Sequence, residues 1–233
     1  MKKVVFEDWG RLDYKEAWDK QTVYFQESLD IKMANRKNGQ DNPTTDRLIF
    51  VEHPPVFTLG KSGDIANLLV SEERLEKEGI DYYPVNRGGD ITYHGPGQLV
   101  GYPIIDLDHY FTDIHKYLRF LEEVIILTLA EYGIESSRSE GETGVWIAPG
   151  TPFARKICAM GVKASRWVTM HGWALNVNSP LKHFGYIVPC GITDKSVTSL
   201  HLELEREVPM EEVAEKLKRN FEKVFECQIV NNK

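Results

Sequence analysis

A glycine-rich segment, RGGDITYHGPGQLVGYP, occupies residues 87–103 and holds the first side chains that could do chemistry. It contains five glycines and two prolines, and between them stand the polar residues Arg87, Asp90, Thr92, Tyr93, His94 and Gln98. Glycine allows a ligand to lie directly against the main chain, and Thr92 and His94 share one side of an extended segment. A turn alone does not require so many polar groups, so the pattern favours a small-molecule site.

Two other interpretations of this segment compete with a small-molecule site. Bare backbone N–H groups bind phosphate, but the segment has no GxxxxGK[ST], and Gly95-Pro96-Gly97 leads into the strand-like LVGYPII rather than into a helix. The glycines could also serve only to form tight turns. We favour the ligand site because of the accompanying polar side chains.

The second chemical feature is Cys190, which lies between Pro189 and Gly191 after an apolar run. A thiol attacks as the thiolate, and because its reference pKa is about 8.5 it needs a nearby cation or base. The candidates are Lys156, Lys163, His94 and His171. Lys156 differs from the others because it precedes the mostly uncharged strand ICAMGV, where burial would partly desolvate its ammonium group.

The cysteine count argues against a disulfide framework. Cys158, Cys190 and Cys227 form an odd set without a CxxC zinc pattern, so free thiols are expected. We interpret Cys227 as a core residue of the last helix.

Composition limits the class of protein. The 233 residues are 42% hydrophobic, enough for a substantial core, and we find neither an 18-residue apolar run nor a signal peptide, so we expect a cytoplasmic protein without a membrane partner. The net charge of −7 argues against nucleic-acid binding. Residues 151–200 nevertheless hold six basic residues against one acid, which predicts an acidic partner contacted through Arg155, Lys163, Arg166 and Lys182.

Hydrophobic periodicity predicts the elements that position these residues. Strands are predicted at residues 1–10, 47–52, 99–105, 144–148, 156–164 and 168–177, and helices at 13–29, 71–78, 112–132 and from about 209 to 224. Thr112 is the expected N-cap of the third helix, and Gly133 its end. We find no linker or repeat, which predicts a single α/β domain over residues 1–233.

Three blocks of the sequence together resemble the lipoyl (octanoyl) transferase family, LipB. They are RGGDITYHGPGQLVGYPIIDL, RKICAMGVKASRWVTMHGWALNV and FGYIVPCGITDKSVTSL, and the resemblance extends from about His53 to Leu200. It implies a cytoplasmic enzyme with the fold of biotin and lipoate protein ligases, a mixed β-sheet flanked by helices.

The resemblance also implies a reaction and its residues. Such enzymes transfer an octanoyl group from octanoyl-acyl carrier protein to a lysine amine of lipoyl domains, in the E2 subunits of 2-oxoacid dehydrogenases and the glycine cleavage H protein, as the first step of endogenous lipoate biosynthesis. By the resemblance, Cys190 carries the acyl group as a thioester and Lys156 lowers its pKa and shuttles protons, with no metal and no cofactor. The acyl-pocket segments fall on Arg87, Gly88, Gly89, Asp90, Ile91, Thr92, Tyr93, His94, Ala159, Met160, Gly161, Gly172, Trp173 and Ala174.

Some points stay open at this level. His94, Tyr102 and His171 are further candidates for positioning groups that sequence does not rank. Cys158 stands where the family leads us to expect alanine, and we interpret it as a packed small residue. A lipoate or biotin ligase of the same fold would need ATP and would not explain Cys190, and a noncatalytic module that binds acyl carrier or lipoyl domains would make Cys190 structural.

Overall fold

A mixed sheet of eight strands forms the centre of the computed structural model, which describes residues 1–188 and 196–231. The strands of the described chain are β1 (Lys2–Arg11), β2 (Asp46–Glu52), β3 (Val56–Leu59), β4 (Asp81–Pro84), β5 (Ile91–His94), β6 (Gln98–Ile104), β7 (Val145–Ile147), β8 (Arg155–Ser165), β9 (Val168–Asn176), β10 (Ser196–Val197) and β11 (Cys227–Asn231). The helices are α1 (Tyr14–Asn38), α2 (Glu72–Glu78), α3 (Ile114–Ala130), α4 (Leu200–Leu204) and α5 (Met210–Phe225).

The large sheet has the order β10-β8-β9-β6-β2-β1-β11, and β7 adds to β8. Its centre is antiparallel, from β2 through β6 and β9 to β8, while β1 is parallel to both β2 and β11. A second sheet, β4-β3-β5, carries the polar end of the glycine-rich segment. The α/β class and the mixed sheet flanked by helices are confirmed.

Strand β2 shows why the sheet is covered on both faces. Leu48 and Phe50 belong to the core beneath α3 and α5, whereas Ile49 and Val51 belong to the core beneath α1. Because side chains alternate along a strand, an uninterrupted apolar run such as LIFV is typical of a strand buried on both faces. None of the helices within the described residues has the length and apolarity to cross a bilayer.

The sequence located most elements correctly but missed several boundaries. Helix α1 continues to Asn38, nine residues beyond the predicted end, and stops at Gly39, whose φ is +64°. Helix α3 is capped by Asp113, whose carboxylate accepts from the N–H groups of His115 and Lys116, so the predicted cap at Thr112 was wrong. Asp113 is the better cap because its negative charge is also stabilised by the positive N-terminal end of the helix dipole.

The end of the chain requires a second correction. Cys227 does not lie in the last helix, which ends at Phe225, but is the first residue of β11. Glu226, with φ of +50°, ends the helix in the left-handed conformation and turns the chain into the strand. The predicted role survives, since Cys227 is buried in the main core.

Candidate active site

A cavity of about 540 Å³ unites the glycine-rich segment with β8 and β9. Thirteen of the fourteen predicted acyl-pocket residues line it, together with Lys156; they are Arg87, Gly88, Gly89, Asp90, Ile91, Thr92, His94, Ala159, Met160, Gly161, Gly172, Trp173 and Ala174. Cavities of this size are typical of small-molecule sites. Residues of the glycine-rich segment and of β8 and β9, which are more than 50 positions apart in sequence, therefore line the same cavity.

Tyr93 is the predicted pocket residue that the structure does not bring to the cavity. Thr92 and His94 point to the cavity side of β5, and the pleat directs Tyr93 elsewhere. Its ring packs against Phe57 and Phe184, and its hydroxyl lies 2.9 Å from His183 Nδ1. Tyr93 therefore belongs to the core of the small sheet.

Gly89 and Gly161 allow the loop before β5 to lie on β8. The Gly88 N–H donates to Val162 O at 2.9 Å, and a Cβ on Gly161 would lie only 2.6 Å from Gly88 O. Gly89 has a φ of +85°, which L side chains rarely adopt. Part of the glycine content thus serves backbone packing, and it brings the loop close enough to form the cavity wall.

Arg87 fixes the same loop from the other side. Its Nη2 donates to both Thr58 O at 2.7 Å and Thr58 Oγ1 at 2.8 Å, and its Nη1 donates to Gly88 O at 3.0 Å. The side chain is 7% exposed. A buried guanidinium group is therefore part of the cavity wall and holds the loop against β3.

One end of the cavity is built from what we call the histidine cluster, His53, His94, His171, Tyr14 and Tyr102. All five are buried, and all but His53 line the cavity. The Tyr14 ring stacks on His94 with centroids 5.8 Å apart, and Tyr102 and His171 meet edge to face. Aromatic and hydrogen-bonding groups thus close this end without a carboxylate among them.

Burial keeps the histidines of the cluster neutral. Desolvation lowers the pKa of His53 to about 4 and that of His94 to about 3, the latter with help from the neighbouring imidazole of His53. Desolvation also raises the pKa of Tyr14 to about 12. His53 Nδ1 donates to Leu12 O at 2.8 Å, so its Nε2 accepts from the Tyr102 hydroxyl at 2.7 Å. The cluster therefore offers dipoles and no charge near pH 7.

His171 is the most unusual member of the histidine cluster. It sits within β9 at a φ of +61°, a conformation that side chains other than glycine seldom adopt. The backbone N–H of His171 donates to Gln21 Oε1 at 3.0 Å. Its buried ring Nε2, by contrast, has no hydrogen-bond partner among the described atoms. Desolvation, followed by the charges of Arg87 and Lys163, lowers its pKa to about 3.

The other end of the cavity contains Lys156, the second residue of β8. Its ammonium lies 4.6 Å from the centroid of the Trp146 ring, and its carbonyl accepts from the Thr198 N–H at 2.9 Å. Val197, which also lines the cavity, pairs with Lys156 through β10. Residues 197 and 198 are thereby fixed beside Lys156.

Cys190 lies outside the described residues. The described residues on either side of it are Val188 and Ser196. The Val188 N–H donates to Asn67 O at 2.8 Å, and Ser196 pairs with Arg155. The two cysteines that are described, Cys158 and Cys227, are both buried in the main core, and burial raises the pKa of each thiol. Neither has the exposure or the depressed pKa of a nucleophile.

Strand register separates the two ends of the cavity. His171 pairs with Val162, six residues along β8 from Lys156. At 3.3 Å per residue this is about 20 Å along the strand. The cavity therefore runs along β8 from the Lys156 end to the end formed by the histidine cluster, beside which the Arg87 guanidinium lies, with Ala159, Met160 and Trp173 between the two ends.

The basic residues between 151 and 200 do not form one surface. Arg155 is engaged by Glu203 in two contacts of 2.6 Å, and Lys163 lies over the Phe25 ring of α1. Arg166 is at the β8–β9 turn, about 30 Å along β8 from Lys156. Lys182 is exposed on the turn that also carries the cavity residue Phe184.

Sequence reasoning missed several residues of the wall. Ile114 and Leu118 lie four apart on α3, a spacing that also fits simple core packing, and Tyr14 is the first residue of α1. No local motif marks any of them. Among the described residues, no group of three or more His, Cys, Asp or Glu side chains is arranged to bind a metal ion.

Comparison with known proteins gives consistent matches over nearly the whole chain. The family model described as "Lipoyl protein ligase A/B catalytic domain" matches residues 13–222. The chain is 60% identical over 229 residues to an octanoyltransferase of Christiangramia forsetii, covering 98% of both chains. It is 61% identical over 230 residues to an octanoyltransferase of Flavobacterium johnsoniae, covering 98% of this chain and 99% of the relative.

Solved structures share the fold at lower identity. A chain from the bi-partite lipoate protein ligase and E2 lipoyl domain of Thermoplasma acidophilum superposes with a TM-score of 0.70 at 17% identity, covering 100% of this chain and 87% of that chain. A biotin protein ligase of Aquifex aeolicus, in complex with biotin and ATP, gives a TM-score of 0.52 at 11% identity over 95% of this chain and 70% of that one.

Proposed function

Since the chain belongs to the octanoyltransferase branch of the lipoyl protein ligase A/B family and is an acyltransferase of lipoate biosynthesis, we propose the route by which it transfers the octanoyl group. The donor is octanoyl-acyl carrier protein, the acyl group passes through a thioester on Cys190, and the acceptor is a lysine of a lipoyl domain. These acceptors include the E2 subunits of 2-oxoacid dehydrogenases and the glycine cleavage H protein.

In the first half-reaction the Cys190 thiolate attacks the carbonyl carbon of the donor thioester. The C–S bond to the carrier's thiol then breaks, and the Lys156 ammonium gives its proton to the departing thiolate. The positive charge of Lys156 lowers the pKa of a nearby thiol and therefore favours the thiolate, which is the form of Cys190 that attacks. Backbone N–H groups near Cys190 and Lys156 stabilise the oxyanion.

In the second half-reaction the acceptor lysine, in its neutral amine form, attacks the Cys190 thioester. The acceptor nitrogen loses a proton to the neutral Lys156 amine, the new amide forms, and the C–S bond breaks to regenerate the Cys190 thiolate. Lys156 thereby returns to the ammonium form. Every proton is accounted for by Lys156 and the two substrates, and no cofactor takes part because a thioester is already activated.

The observation that carries this proposal is the single cavity that joins Lys156 to the residues of the acyl-pocket segments. Its middle is lined by apolar and small residues, including Ala159, Met160 and Trp173, which suit an uncharged acyl chain. The loop from Arg87 to His94 lies against the same cavity, so we assign it to holding the chain and its thioester. The cytoplasmic location stays a prediction.

Intact-mass spectrometry tests the proposed route. After incubation with octanoyl-acyl carrier protein, the wild-type enzyme should gain one octanoyl group that hydroxylamine removes and that maps to Cys190. The Cys190→Ala variant should gain none, while Cys158→Ala, in which only a core thiol is removed, should still be acylated. An adduct on Cys158 or Cys227, or acylation that survives in Cys190→Ala, would contradict the assignment.

A further inference from the structure

The aromatic contact of Lys156 is a feature that the proposed reaction does not yet use. Its Nζ lies 4.6 Å from the centroid of the Trp146 ring, and Trp146 is 3% exposed. The face of an aromatic ring attracts a cation, and tryptophan does so most strongly. A rigid, buried indole is therefore in contact with the one ammonium group on which both half-reactions depend.

Strand pairing explains why the indole meets this lysine. Val145 pairs with Cys158, so a regular antiparallel ladder would place Trp146 opposite Ile157, which is fully buried. An irregularity between Val145 and Trp146 instead sets Trp146 opposite Lys156. A shift of one residue reverses the face to which a side chain points, so this irregularity brings the indole to the lysine.

Gly144 allows the turn before β7 to pack against the β8 backbone next to the lysine stem. Its φ is +117°, and a Cβ there would lie 2.5 Å from Cys158 O and 3.6 Å from Lys156 Cε. Its N–H donates to the Oε1 atom of buried Glu122 at 3.0 Å, which anchors the turn before β7. The turn and β7 thus lie next to the side chain of Lys156.

We propose that Trp146 is a positioning residue for acyl transfer, which holds the Lys156 ammonium group over its indole face. This inference rests on the proposed role of Lys156. The indole reduces the number of rotamers open to a long flexible side chain and stabilises its charged form. Trp146 therefore acts through Lys156 and does not itself touch the acyl group.

Steady-state kinetics on three variants give the first test. Trp146→Leu should lower kcat by roughly tenfold, a change of about 1.4 kcal/mol, because the variant removes the aromatic face that holds the ammonium group. KM for a small octanoyl thioester should stay within about twofold. Trp146→Phe, which keeps a weaker aromatic face, should recover part of the loss. Trp9→Leu is the matched control, because Trp9 holds Lys20 at 4.2 Å on the surface and its loss should change neither constant.

A spectroscopic test is independent of activity and of folding in the leucine variant. With ¹³C-labelled lysine, the Hε resonance of Lys156, assigned through Lys156→Arg, should be shifted upfield by the indole ring current in the wild-type enzyme. An unshifted resonance, or a folded Trp146→Leu enzyme with wild-type kcat, would overturn the inference. Absence of any octanoyl adduct on the wild-type enzyme would instead defeat the proposed function and leave the contact itself standing.

Discussion

The two ends of the cavity treat ionisable groups in opposite ways. At one end the Lys156 ammonium lies against an aromatic ring beside β10. At the other, about 20 Å away along β8, the imidazoles of His94 and His171 are so fully buried that their pKa values fall to about 3. Residue type alone does not distinguish these ends, because lysine and histidine both ionise by protonation. Burial removes the charge of the two imidazoles, whereas the Lys156 side chain is only partly buried and lies against an indole face.

Under the proposed function, the two ends suit different tasks. A group that carries protons in each half-reaction must exchange between charged and neutral forms, which suits the Lys156 end. Neutral imidazoles and phenols act through dipoles and packing, so the histidine cluster shapes and closes the cavity. We therefore expect changes at the two ends to alter different measurable quantities.

Loss of charge at the lysine end should have the largest effect on catalysis. We expect Lys156→Met to lower kcat by about 10³-fold, because removing a general acid–base group typically costs 10²–10⁴-fold. Iodoacetamide should also alkylate Cys190 only at higher pH in this variant. Lys163→Met is the control, since Lys163 is on the same strand but lies over Phe25. An unchanged alkylation profile in Lys156→Met would mean that another group activates the thiol.

The histidine cluster should instead reveal itself in stability against pH. Its histidines have folded-state pKa values depressed to 3–4, so the stability that they contribute is present above their unfolded value of about 6.5 and is lost as the pH falls towards 4. Each should remove roughly 1.4 kcal/mol of unfolding free energy per pH unit across that window. Urea unfolding at pH 7 and pH 5 measures this slope.

Two variants isolate the contribution of single histidines. His171→Asn, chosen because asparagine tolerates a positive φ, should reduce the slope by about one proton. His109→Asn is the contrasting variant: the hydrogen bond to Asp46 raises the His109 pKa, so its contribution is present below about pH 6.5 and is lost as the pH rises above it, and the slope between pH 5 and pH 7 should stay nearly unchanged. A slope unaffected by His171→Asn would show that this histidine is not buried neutral.

The smallest expected effect is on KM for the acyl donor, and it distinguishes docking near Lys182 from docking near Arg166. Lys182 is exposed on the turn of the cavity residue Phe184, whereas Arg166 occupies the far tip of the β8–β9 hairpin. For an acidic carrier, Lys182→Glu should raise KM several-fold at low salt and less as salt screens the contact, while Arg166→Glu should change little. A small octanoyl thioester should react equally with both variants. The reverse order would place docking at the hairpin.

The sequence by itself determined the α/β class, most element positions and the segments that converge on the site, because hydrophobic periodicity, glycine and helix-capping residues act locally. Within the glycine-rich segment it identified Thr92 and His94 as neighbours on one side of a strand, and the structure agrees. The sequence did not exclude Tyr93 from the predicted pocket. Membership of the glycine-rich segment does not show which face of the strand will line a cavity that other elements complete.

Only the tertiary structure decided which groups keep their charge. Nothing local marks His171 as neutral, Arg155 as paired with Glu203, or Trp146 as the neighbour of Lys156. The first depends on burial by distant elements, the second on a helix 48 residues away in the chain, and the third on a one-residue irregularity between two strands. Desolvation and register are properties of the packed sheet, so a sequence read along one dimension does not contain them explicitly.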